Sequence, residues 1–279
     1  MNDLIVWATG WDDDGNKRLA STLLNMGVPN VDTHCDFTKH EPDNYNVCIK
    51  ESIARGFKYA QFIDSDVEVP HRETILALYN FIASTSDAGS VRPWRSGETP
   101  MPYQVPSPWY VDDNTAMMFR LDIGVFFDEE FLFTGWSDLD FGSEIEFRGY
   151  KNYNDRRWPV MHNLARSRGH TKSTCLQAMK KRNKLIVDYK WWWCGRENWR
   201  GVESFNSTIP VEKRIPTMQQ IVSMSNEDQH TLAESIDPEH TQIYRKDQRW
   251  PNIPNLAWLN PLIVGYSTRE RFRNEYGYG

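Results

Sequence analysis

The chain has 279 residues with a formal net charge of −6, and 39% of them are hydrophobic and 25% charged. That is enough chain to bury a full core without staples, with the composition of an ordinary globule. The acidic balance argues against a general nucleic-acid binder, and no stretch approaches the roughly 18 apolar residues of a membrane-spanning helix.

In chain order, "LIVWATG" (4–10) reads as a short buried strand closing on Gly10. "GNKRLASTLLNMG" (15–27) carries Leu19, Leu23, Leu24 and Met26 at helical spacing and stops on Gly27. "PNVDTHCDF" follows as a strand. "NYNVCIKESIARG" (44–56) is a helix with Val47, Ile49 and Ile53 inward and Gly56 as its stop. "KYAQFI" is a third strand. A helix begins near Pro70, and "AGSVRPW" (88–94) is a fourth strand. This alternation predicts an α/β fold with a mainly parallel sheet flanked by helices. Residues 95–113 read as a long loop rich in Pro and turn residues, of the kind that is often functional. "TAMMFRLD" is a strand, a helix starts near Ser137, and "RWPVMHN" is a strand ending at His162. "STCLQAMKKRNKLIVDYKWWW" is a helix with a basic face. The periodicity then weakens, so residues 1–192 read as the main domain and 193–279 as a C-terminal extension packed on it.

Four cysteines (Cys35, Cys48, Cys175, Cys194) form no CxxC pair or framework and read as reduced thiols. The first residues lack the basic and apolar regions of a signal peptide, so a cytoplasmic location is expected. The Asn206-Ser207-Thr208 sequon then carries no meaning. With 12 Trp in the chain, several are expected to line a cleft or contact surface.

Ligands of such sheets bind beyond the carboxyl ends of the strands. Gly10, the run Asp12-Asp13-Asp14, Asp36 and the run Asp64-Ser65-Asp66 all fall at those ends. Taken alone, Asp64-Ser65-Asp66 is either a turn and helix cap or a divalent-cation site. Hard carboxylate oxygens at such an edge select Mg²⁺ or Mn²⁺ over soft metals.

Three stretches in order resemble one family. "NYNVCIKESIARGFKYAQFIDSDVEVPHRETI", "FDEEFLFTGWSDLDFGSEIEFRGYK" (127–151) and "VMHN" are similar to family 2 glycosyltransferases and their GT-A relatives, over residues 4 to about 192. The resemblance implies a GT-A fold, a nucleotide-sugar donor, and Mn²⁺ or Mg²⁺ as cofactor. By it, Asp66 binds the metal directly, Asp64 contacts the donor ribose or the metal through water, and His162 is a further ligand. Asp138 is the general base of an inverting displacement. Ser65, Asp36, Asp12, Asp13 and Trp11 are donor-side candidates by position, and Trp136 and Asp140 are acceptor-side. His170 is a rival ligand. The chain departs from the family at Ser137-Asp138, where relatives often carry Glu-Asp, and at Tyr45, where relatives often carry Arg before the Asn.

Ser137-x-x-Asp140 also reads as a capping box opening that helix, with Asp140 a cap or an acceptor contact. Glu144 and Glu146 read as surface charges. From Arg166 to Arg214 the chain is basic, which hints at an anionic partner, although solvated helix faces give similar runs. The tryptophans of "YKWWWCGRENWR" (189–200) are expected to plug the junction with the C-terminal extension rather than stack on a ligand.

The expected activity is metal-dependent transfer of a hexosyl or pentosyl group to an acceptor hydroxyl. The acceptor is a glycan, a protein or a hydroxymethylated base in DNA, the last suiting a viral or phage enzyme in host cytoplasm. The alternatives are nucleotidyl transfer, which the acidic "ATGWDDDG" disfavours, and non-catalytic carbohydrate or nucleic-acid binding on a degenerate scaffold.

Overall fold

The computed structural model describes residues 1–10, 12–95, 107–108, 115–132, 135–162, 174–193 and 195–235. Its centre is an eight-stranded sheet: β1 (Leu4–Thr9), β2 (Val31–Thr33), β3 (Tyr59–Asp64), β4 (Val67–Glu68), β5 (Ala88–Arg95), β6 (Ser107–Pro108), β7 (Met118–Arg120) and β8 (Lys151–His162). The spatial order is β2-β1-β3-β7-β5-β8-β4, with β6 beside β8. Strands β1, β2, β3, β5 and β8 run one way; the short β4, β6 and β7 run against them. The mainly parallel α/β sheet expected from the sequence is therefore present.

Alternation along the strands sorts the core into two layers. Leu4, Val6 and Ala8 of β1 pack with Leu19 and Leu23 of helix α1 (Asp13–Asn25) and with Ile75, Leu78 and Ile82 of α3 (Arg72–Ser84). Ile5 and Trp7 face the other way, toward Tyr45, Cys48 and Ile49 of α2 (Glu41–Ala54) and Phe141 and Ile145 of α4 (Ser137–Phe147). Each fully buried Leu, Ile or Phe side chain here contributes roughly 1.5–3 kcal/mol.

The direction of α4 follows from its packing. A Cβ added to Gly89, at the amino end of β5, would lie 2.3 Å from Ile145 Cγ2. The carboxyl-terminal turn of α4 thus sits at the amino end of the strands. Its first turn, with Ser137 and Asp138, points toward their carboxyl edge.

Helix α5 (Thr174–Val187) continues into a π-helical turn, Asp188–Trp193, and short helices α6 (Val202–Asn206), α7 (Met218–Ser223) and α8 (Asn226–Ser235) follow. Asn183 clamps the loop before α4, accepting from Leu132 N at 3.0 Å and donating to the Leu132 and Gly135 carbonyls. Buried Arg182 donates to the Glu130 and Pro216 carbonyls. The basic run is thus largely internal in this part: Arg182, Lys184 and Lys190 are each buried. Lys184 pairs with Asp188 at 2.5 Å, an i,i+4 bridge within the helix. Long cationic side chains were recruited as ties, so their sequence clustering does not make a single basic surface.

Candidate functional site

Strand β3 delivers Asp64 to the carboxyl edge because Thr9 of β1 is its register partner. Asp64 accepts from the Thr9 hydroxyl at 3.3 Å and from the Tyr45 hydroxyl at 3.3 Å. Tyr45 is held in place by stacking on Phe62, with centroids 4.7 Å apart and planes at 12°. Neither Thr9 nor Tyr45 was singled out from sequence as a site residue. Their contact with Asp64 joins three elements, and no local pattern carries it.

The turn after β3 is packed against the start of α1. Ser65 N donates to the Thr9 carbonyl at 2.8 Å. Gly10 has φ +121°, and a Cβ there would lie 3.0 Å from Ser65 Oγ. A Cβ on Gly15 would lie 2.6 Å from Asp12 Oδ2 and 3.0 Å from Ser65 Cβ. The two glycines let the backbone bring Asp12 and Ser65 close together. Asp12 is the N-cap of α1, accepting from Gly15 N at 3.0 Å, and its other oxygen meets Arg18 at 3.3 Å. Asp13 pairs with Lys17 at 2.6 Å on an exposed face. Asp36 closes an Asx turn, accepting from both the amide and the hydroxyl of Thr38, and these bonds hold its carboxyl below the usual range. Trp11 and His170 lie outside the described residues.

Asp66 is reached differently. Strand β4 begins just after it and pairs antiparallel with the end of β8, Val67 opposite His162 and Glu68 opposite Met161. The register of β8 against β5 shifts between Pro93 and Arg95, a bulge just before the residues of β8 that pair with β4. The pairing places His162 Nε2 3.3 Å from Asp66 Oδ1, with both side chains largely buried. Two stretches that are nearly 100 residues apart in sequence are thereby joined at one edge.

The donor set fits a divalent cation. One carboxylate oxygen and one imidazole nitrogen sit about as far apart as two ligands of an ion each binds near 2.0–2.1 Å. Among the described residues no group of three His, Cys, Asp or Glu side chains is arranged to hold a metal. The chain offers a pair, and a cation bound to one or two protein side chains completes its shell from substrate phosphates and water.

No family model and no curated protein sequence matches the chain. Among solved structures, GalNAc-T7 with UDP, GalNAc and Mn²⁺ matches with a TM-score of 0.50 at 11% identity, over 98% of this chain and 51% of that one. The structure of S. aureus TarS 1-349 in complex with UDP-GlcNAc also gives 0.50, at 10% identity, over 97% of this chain and 89% of that one. The chain has the GT-A fold.

Around the start of α4, the residues expected on the acceptor side separate into two environments. Trp136 is the N-cap of α4 in the left-handed region at φ +73°, and Lys184 Nζ lies 5.7 Å from its ring centroid. Asp138 is half-buried in the first turn of α4, where it accepts from Leu139 N at 3.0 Å. The capping box expected at Ser137 and Asp140 does not form, because Trp136 takes the cap position and makes no side-chain cap bond. Asp140, expected as an acceptor contact or cap, is completely enclosed. It accepts from Lys190 Nζ at 2.9 Å and from Trp191 Nε1 at 2.6 Å.

Around Lys190 gather Asp128 at 3.0 Å, Asp140 and Glu144, with Arg196 bonded to Glu144 from outside. Burial alone would lower the Lys190 pKa, but the three carboxylates outweigh it and hold the ammonium charged. Burial pushes Asp140 up to about 7 against the pull of Lys190. With three acids around two cations, the most enclosed carboxyl most readily takes up a proton. Glu144 and Glu146, read as surface charges, are both buried. Glu146 accepts from the Asn152 amide at 2.8 Å, and burial pushes its carboxyl up to about 8. Trp191 is fully buried against Asp140 and Phe147 of α4.

Proposed function

We propose that the chain is a metal-dependent glycosyltransferase that moves a sugar from a nucleotide-sugar to an acceptor hydroxyl with inversion. The observation that carries this reading is the β4–β8 pairing, which sets His162 against Asp66 at the ligand edge of a GT-A sheet. Asp66 and His162 would hold Mn²⁺ or Mg²⁺. A divalent cation so held supplies charge neutralisation for the diphosphate leaving group. Asp64, oriented by the Thr9 and Tyr45 hydroxyls, would contact the donor ribose or the metal through water. Ser65 and Asp12, brought together by Gly10 and Gly15, shape the donor side, with Asp36 and Asp13 beyond them. Asp138, on the first turn of α4, accepts the proton of the acceptor hydroxyl as it attacks. Trp136 is the apolar wall beside it, and Asp140 acts through Lys190 as an anchor of the helix.

The 1–192 portion would carry the donor and metal chemistry, and the acceptor would be a glycan, a protein or a hydroxymethylated DNA base. A panel of nucleotide-sugars with Mn²⁺, Mg²⁺ or chelator, read by nucleotide release, tests the activity. Release that needs a metal is expected with one donor. Absence of release, binding and thermal shift with every donor would sink the reading. Asp138→Asn should retain donor binding and lose transfer; full transfer by that variant removes Asp138 as the base.

A further inference from the structure

A cavity of about 330 Å³ opens beside the Lys190 cluster, lined in part by Arg148, Lys190, Arg196 and Arg200 together with Asp128 and Glu144. Its floor and its mouth differ in charge. On the floor, Lys190 and Arg196 are met by Asp128, Asp140 and Glu144. At the mouth, Arg148 donates through Nη1 to the Ile123 carbonyl at 3.2 Å, and Arg200 donates through Nη1 to the carbonyls of Glu197 at 2.7 Å and Trp199 at 2.9 Å. Carbonyl oxygens fix a guanidinium in place without cancelling its charge. Both arginines are exposed, and no carboxylate among the described residues forms an ion pair with either.

The remaining wall is apolar. Val125, Trp199 and Phe126 line it, and Phe126 is 38% exposed. A volume near 330 Å³ falls at the lower end of small-molecule sites and exceeds what a bare inorganic anion fills. A guanidinium fork matches phosphate oxygens bidentately. The mouth of the cavity stands apart from the proposed base, while its floor, through Lys190, touches Asp140 near the start of α4. Arg148 lies just beyond the carboxyl end of α4 and Asp138 in its first turn, about 15 Å apart along the helix axis.

We propose that this cavity is a second ligand site, which takes a small phosphate-bearing molecule. Its phosphate sits between the guanidiniums of Arg148 and Arg200, and its body rests on Phe126 and Trp199. Calorimetric titration of the whole chain with glycerol 3-phosphate, inorganic phosphate and glycerol tests it. Saturable binding at one site is expected for glycerol 3-phosphate, weaker binding for phosphate, and none for glycerol. The double variant Arg148→Gln/Arg200→Gln should raise the Kd at least about tenfold, whereas Asp66→Asn should leave it unchanged. Both arginines are exposed, so the double variant should keep the wild-type circular dichroism spectrum. Arg148→Lys, which keeps the charge and loses the fork, should fall between the two. No saturable binding at millimolar probe, binding that survives the double variant, or binding that Asp66→Asn abolishes would each overturn the proposal.

Discussion

Two carboxylate clusters in this molecule have opposite fates. At the sheet edge, Asp64 takes the hydroxyls of Thr9 and Tyr45, and Asp66 faces an imidazole. Behind α4, Asp128, Asp140 and Glu144 converge on one buried ammonium. Hydroxyl donors orient a carboxylate and add no charge against its own. A buried Lys consumes that charge and turns the acids into structure. An acidic run is thus legible as a binding edge only once it is known which cations the fold brings to it.

The largest effect should come from removing the cation of the buried cluster. Lys190→Met leaves three enclosed carboxylates facing Arg196, and a loss of about 3–5 kcal/mol is expected in denaturant unfolding at neutral pH. A loss under about 1 kcal/mol would show that the cluster is no tie at all. At the other cluster the same logic predicts damage to chemistry rather than to folding. Asp66→Asn should lower metal-dependent nucleotide release about 100-fold, near 2.7 kcal/mol, with an unfolding midpoint close to the parent's. If the unfolding midpoint collapses instead, Asp66 belongs with the structural acids.

Tyr45→Phe sharpens the contrast further. It keeps the stack on Phe62 and removes the hydroxyl from Asp64. Loss of one hydrogen bond to a carboxylate, worth about 1 kcal/mol, should raise the donor KM roughly fivefold. Unchanged kinetics would mean that Asp64 needs no orienting partner. The smallest effect concerns Glu146. Its folded pKa of about 8 stands above the ordinary 4.5, so the native state holds an extra proton between those values. Stability present below the ordinary value is lost as pH rises through about 8, and Asp140 slopes the same way through about 7. Glu146→Gln keeps an acceptor for Asn152 and should flatten the alkaline fall, raising the midpoint at pH 9 by roughly 2–4 °C. An unaltered pH profile would place the titration elsewhere.

Much of the frame is legible in the sequence. The strand at 4–10, the helix stops at Gly27 and Gly56, and the strand ending in Asp64 all rest on local pattern, and each appears within a few residues of its expected place. The proximity of His162 to Asp66 is accessible only through the resemblance, because the pairing of a two-residue strand with the end of β8 creates it. The misreadings cluster in α4. Its acidic residues look like a cap and a solvated face, yet Asp140, Glu144 and Glu146 are buried. The partners that make this tolerable, Lys190, Arg196 and Asn152, lie on other elements, and helical periodicity holds no record of them.

The sequence by itself determined the alternation of strand and helix, and with it the edge where the strand-end polar residues gather. Apolar period, glycine stops and strand-end polar residues are local quantities. Only the tertiary structure decided which acids stay at that edge and which are neutralised inside. The energy of a carboxylate depends on the cation nearest in space, and chain order does not encode that distance.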